Sequence, residues 1–208
     1  MKFIKWKILI VTCLVCLLPI LLGVALWDSL PDTIAVHFDI NNNPDNFASK
    51  GFAVFGMPIL MVVLQCFCCF VNDINSKKFG PRIKFERVTK WIIPIMSVVL
   101  QTTTLCYGLG KQIDIRAVAA VIVGGVLLVI GNYLPKFDYI KNYNPEVEKA
   151  RKINRFLGFE TVIMGALFII SVFLPQPFTV GCIFLLIPYA IIGAVYGVWV
   201  TKSKGAKK

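Results

Sequence analysis

Trp6-Lys7-Ile8-Leu9-Ile10-Val11-Thr12-Cys13-Leu14-Val15-Cys16-Leu17-Leu18-Pro19-Ile20-Leu21-Leu22-Gly23-Val24-Ala25-Leu26-Trp27 decides the fold. After Lys7 it carries no charge until Asp28. A helix needs about 20 apolar residues to cross about 30 Å of hydrocarbon, and this run is long enough. A basic start before an apolar core also describes a signal peptide. Here the core exceeds the usual ~7–15 residues and no small-x-small cleavage site follows it, so it reads as an uncleaved first span over 6–27. Five further apolar runs follow, at 53–71, 91–109, 117–134, 156–174 and 180–200. The expected fold class is all-α: a polytopic membrane bundle of six transmembrane helices, one membrane-embedded unit over 1–208 with no room for a separate soluble domain. The chain is 57% hydrophobic and 16% charged, too apolar for a water-soluble surface.

The charges set the expected orientation. Nineteen of the twenty-two Lys and Arg residues lie in the N-terminus, the 72–90 connector, the 135–155 connector and the tail; Lys50, Lys111 and Arg116 are the others. The positive-inside rule then places both termini in the cytoplasm, which an even number of spans satisfies. It places the loop 28–52 and the short 110–116 hairpin outside. The net charge of +11 is spread over four connectors without a nucleic-acid-reading motif, so no nucleic-acid partner is expected. The 72–90 segment reads as a solvated connector touching anionic lipid, with docking of an acidic cytosolic partner as the other reading.

The loop 28–52 is the long polar stretch that is not basic. It holds the single histidine, His37. Pro31 marks a turn, Ile34 to Phe38 reads as a short strand or extended segment, and 41–46 is rich in turn residues. Interleaved Ile34, Val36, Phe38 and Phe47 argue for an ordered cap on the helix ends rather than disorder. His37 with Asp32, Asp39 and Asp45 invites a metal reading, but one histidine without fixed spacing favours hydrogen bonding inside the loop.

Within the spans the polar residues to weigh are Gln65, Gln101, Asn132 and Glu160. A carboxylate in a span costs roughly 2.5–3.5 kcal/mol even on lenient scales, so Glu160 must be paired, neutral or in reach of water. One reading is a proton or cation site; the other is a carboxylate satisfied by Asn132 or a nearby lysine. Pro19, Pro58, Pro94 and Pro188 each free a backbone carbonyl that a neighbour must re-satisfy, and read as static bends. Asn144-Pro145-Glu146 has the chemistry of a helix start, predicting a short amphipathic inner helix over about 145–155 that runs into span five. Gly193 and Gly197, four apart, read as packing within the chain, with a homodimer contact as the alternative.

The seven cysteines, Cys13, Cys16, Cys66, Cys68, Cys69, Cys106 and Cys182, all fall inside apolar runs and read as small apolar side chains. No serine–histidine pair, glycine-rich phosphate loop or H-E-x-x-H run is present, so no enzyme, cofactor or metal is expected.

Two stretches add a resemblance. Leu30-Pro31-Asp32-Thr33-Ile34 with His37-Phe38, then Pro44-Asp45 and Ser49-Lys50, is similar to the loop of a bacterial membrane domain of unassigned function. That domain commonly precedes the immunity region of the SdpI family. Tyr107-Gly108-Leu109-Gly110 and Val129-Ile130-Gly131-Asn132-Tyr133-Leu134-Pro135-Lys136 resemble that region. The family's loop proline is Ala35 here, its glycine turn falls on Asn42-Asn43, a segment after span four is replaced by 137–145, and a histidine position falls on Asn154. The resemblance implies a six-span immunity or signal-receptor protein in a bacterial cell membrane. It implies a secreted peptide toxin as partner, met by Asp32, His37, Asp45 and Lys50. It also implies a cytosolic repressor at the basic inner loops. The alternative, from the residues alone, is a small transporter or channel using Gln65, Gln101, Asn132 and Glu160.

Overall fold

The computed structural model describes residues 4–79, 83–136 and 145–202. Among them are six helices long and apolar enough to cross a membrane. They are α1 (Trp6–Ala25), α2 (Met57–Phe79), α3 (Ile83–Gly108), α4 (Ile115–Tyr133), α5 (Pro145–Ser171) and α6 (Gln176–Lys202). The chain is therefore a polytopic membrane helix protein. It divides into two compact units, Met1–Ile115 and Arg116–Lys208. The expected cap at Asn144 and the replaced segment up to that residue lie outside the described residues.

In the first unit α1, α2 and α3 pack on one another. Their buried positions recur at helical spacing: Thr12, Cys16, Pro19 and Gly23 on α1; Gln65, Cys69 and Asp73 on α2; Glu86, Lys90, Pro94, Ser97, Gln101 and Leu105 on α3. These inward faces are largely polar, while the outward faces carry exposed Leu14, Leu21, Val63, Phe67 and Ile95. That inversion is what a helix group surrounded by hydrocarbon requires.

The 28–52 loop is ordered, as expected. β1 (Thr33–Phe38) lies where an extended segment was read. β2 (Pro44–Ser49) covers residues read as a turn, and the two strands pair antiparallel. Register shifts after Ala35 and after His37 let β2 accommodate Pro44. Thr33 faces Ser49, and Lys50 N–H closes the base on the Asp32 carbonyl at 2.8 Å. Leu30 and Ile34 bury against Ala53, Val54 and Leu105, so the hairpin caps one end of the three-helix unit.

Two boundaries differ from the sequence reading. α2 continues to Phe79 and α3 begins at Ile83, so most of the 72–90 segment is helix rather than solvated connector. The reason lies in Asp73, Glu86 and Lys90, which have partners inside the unit and are buried. The expected 145–155 helix is the first part of the single helix α5.

The second unit is built from α4, α5 and α6. α4 and α5 meet through glycine. A Cβ on Gly124 would stand 2.8 Å from the Gly165 carbonyl, and one on Gly131 2.7 Å from that of Gly158. Two antiparallel pairs seven residues apart thus hold the backbones in contact. Ala120, Met164, Phe168 and Cys182 form the apolar core beside them.

Candidate functional site

The hairpin brings the four loop residues together as two pairs. His37 Nδ1 lies 2.5 Å from Asp45 Oδ1, both side chains well exposed. Lys50 Nζ lies 3.6 Å from Asp32 Oδ1, donates to the Trp27 carbonyl at 3.2 Å and sits over the Trp27 ring at 5.4 Å. Lys50 is thus mostly covered while Asp32 is fully exposed, a pair too wet to contribute much stability. Phe38 stands edge-on to Tyr107 of α3 at 4.8 Å, anchoring the strand to the helix unit.

The turn is the most constrained part of the hairpin. Asp39 Oδ1 accepts the Asn41 and Asn43 backbone N–H groups, each at 2.8 Å. Chiefly through Asn43, these bonds hold the Asp39 carboxyl below the ordinary carboxylate range. Asn42 adopts φ +64°, a left-handed geometry that asparagine tolerates where a glycine would be the usual residue. Its side chain donates to the Ile113 carbonyl at 3.3 Å and accepts the Ile115 N–H at 2.9 Å. Asn42 thus also ties the turn to the α3–α4 connection.

At the opposite end of the first unit lies a cluster the sequence reading missed. Lys90 Nζ is 2.5 Å from Asp73 Oδ1, both side chains 1% exposed. Lys5 Nζ is 2.5 Å from Glu86, and the Lys5 backbone N–H donates to the other Asp73 oxygen at 3.1 Å. α1 has no acid in its own first turn. Asp73 from α2 and Glu86 from α3 instead place negative charge at its N-terminus, where the helix dipole favours it. The signal was present in the sequence: Gln65, Cys69 and Asp73 are four apart, as are Glu86 and Lys90. It was obscured because lysine-rich segments are usually solvated.

Between the two ends, the polar residues mend the helices. Pro94 has no N–H for the Lys90 carbonyl, and Gln65 Nε2 supplies the missing donor at 2.8 Å. The same amide lies 2.8 Å from Thr12 Oγ1. Gln101 Nε2 donates to the Ala53 carbonyl inside the wide π-turn Phe52–Gly56. Ser97 donates to the Cys16 carbonyl at 3.0 Å. Of the four prolines, the expected re-satisfaction is made by a named side chain at Pro94.

The four span residues do not converge. Gln65 and Gln101 belong to the first unit with separate partners; Asn132 and Glu160 belong to the second. Asn132 Oδ1 accepts from Lys136 at 2.7 Å and is not the partner expected for Glu160. Glu160 Oε2 is buried with no hydrogen-bond partner among the described residues, and a Cβ on Gly193 would stand 3.5 Å from it. Gly193 is taken up within the unit, its would-be Cβ only 2.7 Å from Leu157, whereas Gly197 has open space beside it. Cys13 and Cys66 Sγ atoms are 3.7 Å apart as free thiols, and no metal-holding cluster occurs among the described residues.

These features define a six-span membrane protein whose first unit carries an ordered, polar hairpin cap. A family model described as a domain of unknown function (DUF1648) matches residues 14–62. That match takes in most of α1, the whole hairpin, the π-turn and the start of α2. No curated protein and no solved structure matches the chain.

Proposed function

We propose that this chain is an immunity or signal-receptor protein of the SdpI type, protecting a bacterial cell against a secreted peptide toxin. The observation that carries the reading is the overlap of the matched domain with the ordered cap, since this domain is found in SdpI-like proteins. The charge distribution supports a cell-membrane location with both termini in the cytoplasm and the hairpin outside. The hairpin then offers a peptide both polar and apolar contacts: exposed Asp32, His37 and Asp45 beside exposed Ile40 and Phe47. The inner basic segments are the surface for a cytosolic repressor.

Survival tests the reading. A toxin-sensitive Gram-positive strain expressing the chain is titrated with peptide toxin against an empty vector, and the chain should protect. His37→Ala with Asp45→Ala should remove protection at an unchanged membrane protein level. Full protection by that double variant would overturn the assignment of the hairpin.

One observation favours a second reading, a small proton or cation transporter: the buried Glu160 Oε2, which has no hydrogen-bond partner among the described residues. On that reading Glu160→Gln abolishes a cation-dependent flux in proteoliposomes without unfolding the chain. An intact flux removes Glu160 from any transport path.

A further inference from the structure

The second unit contains an open cavity of about 620 Å³ at the end where α4 leaves and α5 enters. Its size falls within the ~300–1,000 Å³ usual for small-molecule clefts. Lys136, Lys152 and Arg155 line it, with Asn132 between them. Lys152 is paired with Glu148 at 3.2 Å, one turn away. Lys136 donates to the neutral Asn132 amide oxygen at 2.7 Å and lies 5.4 Å over the Tyr133 ring. Neither it nor the exposed Arg155 has a carboxylate partner among the described residues. Among the described residues, the cavity therefore concentrates positive charge with no carboxylate against Lys136 or Arg155.

Its other wall is apolar. Phe156 stacks on Tyr196 at 4.1 Å, closing the side towards α6. Phe159 and Val162 line the cavity one turn deeper along α5. Phe159 is 68% exposed, and the outward face continues through exposed Ile163 and Ile170. Cations at a helix end, with an uninterrupted apolar track running from them along a membrane span, match one ligand chemistry. It is an anionic headgroup carrying acyl chains. A free phosphate would use the cations and leave the apolar wall wet; a zwitterionic lipid would bring its own cation against Arg155 and Lys136.

We propose that this cavity is a binding site for one anionic phospholipid. The phosphodiester sits between Lys136 and Arg155, and the acyl chains lie over Phe159 and Val162. The proposal does not depend on the toxin reading, which rests on the hairpin residues of the other unit.

The test uses the full chain purified in neutral detergent and titrated with dioleoyl phosphatidylglycerol, dioleoyl phosphatidylcholine or inorganic phosphate. Thermal melting and native mass spectrometry are the readouts. Phosphatidylglycerol should raise the melting temperature and leave one lipid bound; phosphatidylcholine and phosphate should do neither. Lys136→Gln with Arg155→Gln should weaken phosphatidylglycerol binding by roughly twenty-five-fold, about five-fold for each cation. Arg151→Gln with Lys202→Gln removes the same charge from exposed positions outside the cavity and should change binding less than about two-fold. Should the first double variant fail to fold, Arg155→Gln alone, at an exposed position, should still show the five-fold loss. Equal losses in the two double variants would mean unspecific attraction to the basic surface and would overturn the proposal. Stabilisation by phosphate alone, or absence of a singly lipid-bound species, would overturn it as well.

Discussion

The two units solve the same problem in opposite ways. A helix group in hydrocarbon gains little from burying apolar side chains, because lipid tails are as apolar as leucine. The first unit is held by polar contacts: a fully buried Asp73–Lys90 pair, Gln65 bridging three helices, and Gln101 reaching a π-turn carbonyl. The second is held by close approach, with glycine backbones of α4 and α5 in contact. The difference teaches where each unit is fragile. The first fails when a partner is removed, the second when an atom is added.

The largest effect should come from breaking the buried pair. Asp73→Asn or Lys90→Met alone leaves one charge buried without its partner and should cost about 3–5 kcal/mol. Asp73→Leu with Lys90→Met removes both charges and should recover most of that loss. Unfolding in mixed micelles measures it; a double variant as unstable as either single would show that the pair is not a closed unit.

Next comes overpacking. Gly131→Leu and Gly165→Leu each force a side chain into backbone 2.7–2.8 Å from the would-be Cβ and should cost about 1–3 kcal/mol or more. Gly125→Leu, with open space beside it, should be close to neutral in the same assay. Equal costs at Gly125 and Gly131 would remove the contrast between the units.

A smaller effect sharpens the first unit. Gln65→Leu leaves the Lys90 carbonyl without a donor and should cost about 0.6–2 kcal/mol. Pro94→Ala restores the helical N–H to that carbonyl, so the cost of Gln65→Leu should fall in the Pro94→Ala background. Strictly additive effects would break the link between the proline and the glutamine.

The smallest effect is pH dependence at the hairpin turn. The Asp39 carboxyl sits below its ordinary value because it accepts backbone N–H groups, first that of Asn43. A lowered folded-state pKa means that its contribution is present above the unfolded carboxylate value of about 3.9 and is lost as pH falls through the folded value. Amide exchange at Asn41 and Asn43 should therefore accelerate below about pH 4 in the native protein. It should be fast and pH-insensitive, beyond the intrinsic rate, in Asp39→Ala.

The six spans and the order in the 28–52 loop were legible, because length without charge and alternating apolar residues are local signals. So was the need for something to re-satisfy the proline-freed carbonyls. The identity of the donor was not legible, because Gln65 and Lys90 are twenty-five residues apart and meet only when α2 packs on α3. The 72–90 segment misled for the same reason. A lysine reads as solvated until a carboxylate on another helix is placed against it. β2 was hidden because Pro44, Asp45 and Asn46 are turn residues by composition, and only pairing with β1 makes them a strand.

Sequence by itself determined the solvent of this protein. Six apolar runs of membrane-crossing length have no alternative that satisfies their backbone, and lysine placement sets the expected orientation. Tertiary structure alone decided which charges are buried, which glycines touch and which polar atoms remain unpartnered. Those are pairwise facts between helices, and in a membrane, where apolar burial is nearly neutral, pairwise fit is what selects one packing from many.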